Sequence, residues 1–213
     1  MSFKRASTRE QITQYLLERI LDGTYKPGER LIELNIANEL STSQAPVREA
    51  LRYLEAMRVV VTEPYKGTRV REVTDRELEE SSQVRAALEE LGAELAAPLL
   101  KGNVERITQE SKQFMKAAKQ KDVQKYSQHD IEFHRLIMEA SGNQLLLSIW
   151  ESVVLETRFR RTLSRIGEEQ LVEFGEAHLP VIDALNDGDG KRAASILKNL
   201  ICKFHFLKST EQS

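Results

Sequence analysis

Residues 44–73 read QAPVREALRYLEAMRVVVTEPYKGTRVREV, and their texture changes once, from helical to extended. In the first part Val47, Ala50, Leu51 and Leu54 recur at helical spacing. Pro46 falls in the first turn, where a missing N–H costs little. This spacing predicts a helix from about Gln44 to Met57. Beyond it, Val59–Thr62 and Thr68–Val73 are short β-rich runs joined by Pro64-Tyr65-Lys66-Gly67, which reads as a hairpin. Upstream, residues 7–22 carry Ile12, Tyr15, Leu16 and Ile20 on one helical face behind Ser7 or Thr8 as a cap. Residues 23–28, with Gly23, Pro27 and Gly28, stop that helix, and Ile32–Leu40 supplies a second. Three short helices followed by a small hairpin make a winged helix-turn-helix.

The texture shifts again at Thr74. Thr74-Asp75-Arg76-Glu77 reads as a capping box opening a long helix expected to end near Ala97, ahead of Pro98. Further helices are expected at about 103–120, 122–140, 143–165, 168–187 and 189–207, with no strand pattern after residue 73. Pro180 suits the last-but-one helix only if that helix begins near Gly175 or Glu176. The fold class is therefore mainly α. A winged helix-turn-helix over residues 1–74 precedes an all-α bundle of about six helices over residues 75–213.

Composition bounds the function. The chain has 213 residues, 40% of them hydrophobic and 6% aromatic, with a formal charge of −2. Residues 1–74 hold 12 basic and 10 acidic side chains, so the small positive excess lies in the winged part, the one suited to a polyanion. The single Cys202 excludes a disulfide framework and a cysteine-based zinc finger, and fits a reducing compartment. No apolar run approaches the roughly 18 residues of a membrane span. The start, MSFKRASTRE, has no hydrophobic segment behind it and does not read as a signal peptide. The expected setting is the cytoplasm, with no membrane partner.

A helix-turn-helix presents the first residues of its recognition helix to base edges in the major groove. Here those residues are Ser43, Gln44, Ala45 and Arg48. Gln44 can make a bidentate contact to adenine, Ala45 can touch a thymine methyl, Ser43 suits a phosphate, and Arg48 can reach a guanine or the backbone. Lys66-Gly67 at the hairpin tip can enter the minor groove. The alternative is that these are simply surface polar residues of a small helical domain.

ILDGTYKPGERL (20–31) and LSTSQAPVREALRYLEAMRVVVTEPYKGTRV (40–70) resemble the N-terminal domain of the GntR family of bacterial transcription regulators. The resemblance implies DNA contacts at Arg30, Ser43–Ala45, Arg48 and Gly67. Gln44 and Ala45 stand where most members have Arg and Thr, which implies a different operator, more A·T-leaning. Arg58 stands where most have Gly.

VRAALEELGAELAA (84–97), DIEFHRLIMEASGN (130–143) and HLPVIDALNDGD (178–189) resemble the FadR-type C-terminal domain, called FCD, and the length resembles its shorter, VanR-like group. The resemblance implies a metal site built from an Asp, a His four residues later and two further His. Asp130 and His134 fill the first two positions and leave one helix face together. His178 falls on the inward stripe Leu171, Phe174, His178, Val181, Leu185. The fourth position is Leu200, and His205 points about 140° away from it on the same helix. Two imidazoles and one carboxylate suit Zn²⁺, Ni²⁺, Mn²⁺ or Fe²⁺ with open positions for water or an effector carboxylate. The plainer alternative is a helical ion pair at Asp130–His134 and a core histidine at 178.

Arg85 is a candidate partner for an anionic effector, or else a salt-bridge partner of Glu89 at i, i+4. Of the cluster Arg158, Arg160, Arg161 and Arg165, Arg158 is the one expected to turn inward, the rest being solvated surface. Trp150 reads as core, with a dimer face as the other option.

The expected function is a ligand-responsive transcription regulator, a homodimer on a pseudo-palindromic double-stranded operator. A small carboxylate metabolite completes a divalent metal's coordination, and repression relieved by effector is expected over activation. A metal-free regulator with an apolar or anionic effector pocket is the first alternative. A non-haem iron enzyme, which shares the two-His, one-carboxylate set, is the remote one, because no nucleophile–base pair or phosphate-cradling loop accompanies it.

Overall fold

The computed structural model describes residues 7–163 and 170–206, the side chains of 155–163 and 203–206 excepted. The chain divides into two compact units, Met1–Thr74 with Arg158–Ser164 and Asp75–Thr157 with Arg165–Ser213.

In the first unit, α1 (Thr8–Leu21) opens on a complete capping box. The Ser7 N–H donates to Glu10 Oε2 at 2.7 Å, and the Glu10 N–H donates to Ser7 Oγ at 3.3 Å. It buries Ile12, Leu16 and Ile20 against α2 (Glu33–Glu39) and α3 (Gln44–Ala56), which contribute Ile36, Ala37, Val47, Ala50, Leu51 and Leu54. The hairpin strands are β2 (Val60–Glu63) and β3 (Gly67–Val70), in antiparallel register with Val60 opposite Val70 and Glu63 opposite Gly67.

The wing is not a two-stranded hairpin, as expected, but a three-stranded sheet of order β1-β3-β2. Arg30–Leu31 forms β1 and pairs antiparallel with β3. Gly28, at φ +75°, turns the chain into this edge, and Leu31 adds its side chain to the core.

After Thr74 the described residues form six helices: α4 (Asp75–Leu100), α5 (Glu105–Lys119), α6 (Val123–Ala140), α7 (Gln144–Leu163), α8 (Leu171–Asp187) and α9 (Gly190–Phe206). Two expectations about proline need correcting. The helix α4 does not end at Ala97 but continues through Pro98 to Leu100. The bond Pro98 cannot make is the one to the Glu94 carbonyl, and Gly190 packs there, so close that a Cβ on it would lie 3.0 Å from Glu94 Cα and O. Likewise α8 does not start near Gly175 but at Leu171, with Pro180 in its interior. Pro180 and Glu176 are both exposed, so water can reach the carbonyl left without a partner.

The bundle core gathers Phe114, Tyr126, Phe133, Leu171, Phe174, Val181 and Leu185 with alanines from α4 and α9. Small residues let α4 approach its neighbours: a Cβ at Gly92 would meet the Met138 sulfur at 2.4 Å. Trp150 packs with Met138, Leu146 and Val154, as core.

Candidate DNA-reading surface and metal centre

The first unit brings its charged and polar candidates to the surface. Ser43, Gln44, Ala45 and Arg48 are all exposed on the first turns of α3. Ser43 caps the helix by position only, without a side-chain cap bond. Arg48 is held by Glu33 at the start of α2: its Nε–H lies 3.0 Å from both carboxylate oxygens and its Nη2–H donates to Oε2 at 2.7 Å. Glu33 fixes the direction of the guanidinium and leaves Nη1 turned away from the pair.

Arg30, exposed on β1, lies against Gly67, where a Cβ would stand 3.3 Å from its Nε and Nη2. Two wing residues far apart in sequence thus share one spot, because β1 pairs with β3. Lys66 at the tip is paired with Glu63 at 2.7 Å. Arg58, where a glycine is usual, sits at φ +57°, the left-handed conformation glycine adopts without cost.

In the second unit α6 and α8 bring Asp130, His134 and His178 together. All three are buried, with exposures of 1–3%. His178 Nε2 lies 3.2 Å from His134 Nε2 and 3.3 Å from Asp130 Oδ1, and His134 Nε2 lies 3.9 Å from the same oxygen. The outer ring nitrogens are already spent. His178 Nδ1 donates to the Phe174 carbonyl at 2.7 Å, and His134 Nδ1 donates to Glu89 Oε2 at 2.5 Å. With Nδ1 turned outward in each ring, the two Nε2 atoms face each other beside the Asp130 carboxylate, an arrangement suited to a shared proton or a metal ion.

A tetrahedral ion with Zn–N bonds of about 2.05 Å separates its two imidazole nitrogens by about 3.3 Å. The observed 3.2 Å fits. The donor set and the tied outer nitrogens are compatible with a metal ion, while Asp130 Oδ1 stands farther from His134 Nε2, at 3.9 Å. Phe133 packs edge-to-face against both imidazoles, and Phe114 lies tilted against His178. Leu200 is buried in the bundle core and supplies no ligand. The side chains of His205, Arg158, Arg160 and Arg161 lie outside the described residues, as does Arg165.

Arg85 forms the i, i+4 salt bridge with Glu89. Its Nε–H donates to Glu89 Oε1 at 2.6 Å, while Nη2 is buried with no hydrogen-bond partner among the described residues. Trp150 Nε1–H donates to the same Glu89 oxygen at 2.8 Å. Complete burial alone would raise the Glu89 carboxyl pKa, but the Arg85 guanidinium, His134 and the Trp150 N–H together outweigh it and hold the group well below the usual carboxylate range. Glu89 is the residue that the sequence reading missed. It was visible only as the i, i+4 partner of Arg85, although both fall on the inward stripe Ser82, Arg85, Ala86, Glu89, Gly92, Ala93.

The profile described as bacterial regulatory proteins, gntR family, matches residues 8–70, and that of the FCD domain matches residues 80–202. The chain belongs to the GntR family. It carries the FCD type of second domain, and it is a transcription regulator, not an enzyme. It is 28% identical over 200 residues to a probable D-xylose utilization operon transcriptional repressor of Paenarthrobacter nicotinovorans, covering 94% of this chain and 88% of that protein. It is 33% identical over 153 residues to the gluconate operon transcriptional repressor of Bacillus licheniformis, covering 70% and 61% respectively.

Two solved structures share the fold. McbR/YncC of E. coli has a TM-score of 0.81 at 24% identity over 94% of this chain and 96% of its own. A GntR regulator from Rhodococcus has a TM-score of 0.84 at the same identity and coverage. Among the described residues no helix is long and apolar enough to cross a membrane.

Proposed function

We propose that this GntR-family regulator is a cytoplasmic repressor whose grip on double-stranded operator DNA is set by a small carboxylate bound beside a divalent metal in the helical domain. Residues 1–74 read the operator and residues 75–213 sense the effector and pair two copies. The observation that carries the reading is the convergence of Asp130, His134 and His178, outer nitrogens tied, with the buried Arg85 Nη2 left over in the same unit.

Asp130, His134 and His178 would hold the ion, Zn²⁺, Ni²⁺, Mn²⁺ or Fe²⁺ being suited to the set. When bound, the ion would supply a positive centre that attracts a carboxylate. Arg85, anchored through Nε, offers Nη2 to the anion as a charge-assisted donor, and Arg158 is a second candidate. Effector binding favours one arrangement of the winged domains over another and so changes operator affinity. The gluconate and D-xylose operon repressors among the relatives suggest sugar-derived acids as first probes.

On the DNA side, Gln44 reads adenine, Ala45 a thymine methyl, and Ser43, Arg48, Arg30, Lys66 and Gly67 hold the backbone and minor groove. Two-fold pairing places two such surfaces on a pseudo-palindrome. Exposed Val84, Leu91 and Leu95 on α4 supply an apolar stripe for that pairing.

Leu200 in place of a fourth ligand favours a second reading, a metal-free regulator in which Arg85 alone binds the anion. Metal analysis of the purified protein decides. A stoichiometric ion that is lost in the Asp130→Ala/His134→Ala variant supports the metal centre, and protein without metal that still releases DNA on adding a carboxylate supports the second reading.

A further inference from the structure

We propose that Glu89 is the positioning residue of this centre, a hub that holds His134 in the tautomer able to ligate while orienting Arg85 and Trp150 through the same carboxylate. The proposal rests on the metal reading above.

Three donors from three helices converge on one buried side chain. On α6, His134 Nδ1–H reaches Oε2 at 2.5 Å; on α4, Arg85 Nε–H reaches Oε1 at 2.6 Å; on α7, Trp150 Nε1–H reaches Oε1 at 2.8 Å. Glu89 itself is 1% exposed, so no water substitutes for a lost partner. A carboxylate is the only side chain of this size with acceptors at both ends and no donor.

The tautomer follows from that chemistry. With a proton on Nδ1 pinned by Oε2, His134 must present a bare Nε2 to Asp130 and His178. An amide of the same shape cannot satisfy all three while the His134 proton stays on Nδ1. With its NH₂ toward His134, it forces Nδ1 to accept, moves the ring proton to Nε2 and blocks ligation. Turned over, it sets an NH₂ against two donors, Arg85 Nε–H and Trp150 Nε1–H. The first arrangement keeps all three contacts by moving the His134 proton, whereas the second loses two, so the first prevails. A residue that merely neutralised Arg85 would have no influence on which nitrogen of His134 carries the proton.

The test uses the full chain and Co²⁺, with affinity read by chelator competition and the His134 tautomer read from imidazole ¹⁵N shifts of metal-free protein. Glu89→Gln is expected to weaken Co²⁺ binding by about 10–100-fold and to move the His134 proton to Nε2. The variant Arg85→Met/Glu89→Leu leaves no lone buried charge in this pair and provides a second, well-packed test. It too is expected to lose at least about tenfold in Co²⁺ affinity. Affinities within threefold of wild type in both variants, with the proton still on Nδ1 in Glu89→Gln, overturn the positioning role. Wild-type protein that takes up no Co²⁺ overturns the metal reading instead. The positioning claim then stands or falls on the metal-free tautomer alone.

Discussion

Replacing Asp130 by Asn separates metal binding from the packing of the bundle. Asp130 is 1% exposed and lies 3.3 Å from His178 Nε2, so an isosteric amide keeps the volume and can donate an N–H to that lone pair. Metal-free Asp130→Asn is therefore expected to melt at the wild-type temperature or above it. Metal changes the comparison. With free ion at about 100 times Kd, binding to the native state alone stabilises wild type by about 2.7 kcal/mol, or roughly 8–10 °C for a unit of this size.

Removing the only charged ligand costs at least the roughly 100-fold that loss of a supporting residue can cost. The same ion concentration then gives only about 0.4 kcal/mol, roughly 1 °C. The assay is thermal unfolding followed by fluorescence of the single Trp150, which sits in the second unit, in chelator and in Zn²⁺ or Mn²⁺. A metal-induced shift in Asp130→Asn as large as in wild type would refute the centre as drawn.

Further outcomes follow from the same structure. Gln44→Ala should weaken operator binding about 5–150-fold, the value of one bidentate base contact, while leaving binding to random duplex unchanged; competition by fluorescence anisotropy measures both. Lys66→Ala should weaken all duplexes alike and reduce the slope of log K against log salt by about one phosphate contact. Arg58→Gly relieves a left-handed residue at φ +57° but loosens the unfolded chain, so a net gain of no more than about 1 kcal/mol is expected in denaturant unfolding of the first unit. The depressed Glu89 pKa makes stability of the second unit complete above the ordinary glutamate pKa, near 4.5, and lost as pH falls toward the folded value. Glu89→Gln should flatten that acid limb in Trp150-monitored unfolding.

The parts of this molecule that were legible from sequence are those with a period or a punctuating residue. Val47, Ala50, Leu51 and Leu54 mark α3, and residues 64–67 mark the turn of the wing, so the winged helix-turn-helix is readable without coordinates. The two-residue strand β1 is not, because Arg30 and Leu31 are too short a run to show alternation; only pairing with β3 makes them a strand. Pro98 and Pro180 mislead for a related reason. The cost of a proline depends on what meets the freed carbonyl, here Gly190 in one case and solvent in the other, and neither is local in sequence.

Asp130 and His134 are legible as a pair on one face, and His178 as an inward polar residue on an apolar stripe. That α6 and α8 bring their Nε2 atoms to 3.2 Å is a tertiary fact. Glu89 was concealed by its spacing from Arg85, since an i, i+4 ion pair looks the same in sequence whether it faces water or the core.

The most direct test of the account is fluorescence anisotropy of a labelled fragment from upstream of the gene, titrated with purified protein at fixed salt, with and without Zn²⁺ or Mn²⁺ and a small carboxylate such as gluconate. The account predicts tight, sequence-selective binding that weakens when ion and carboxylate are present together and does not weaken in Asp130→Asn. Binding that never exceeds that to random duplex, or that responds identically in wild type and Asp130→Asn, would contradict it.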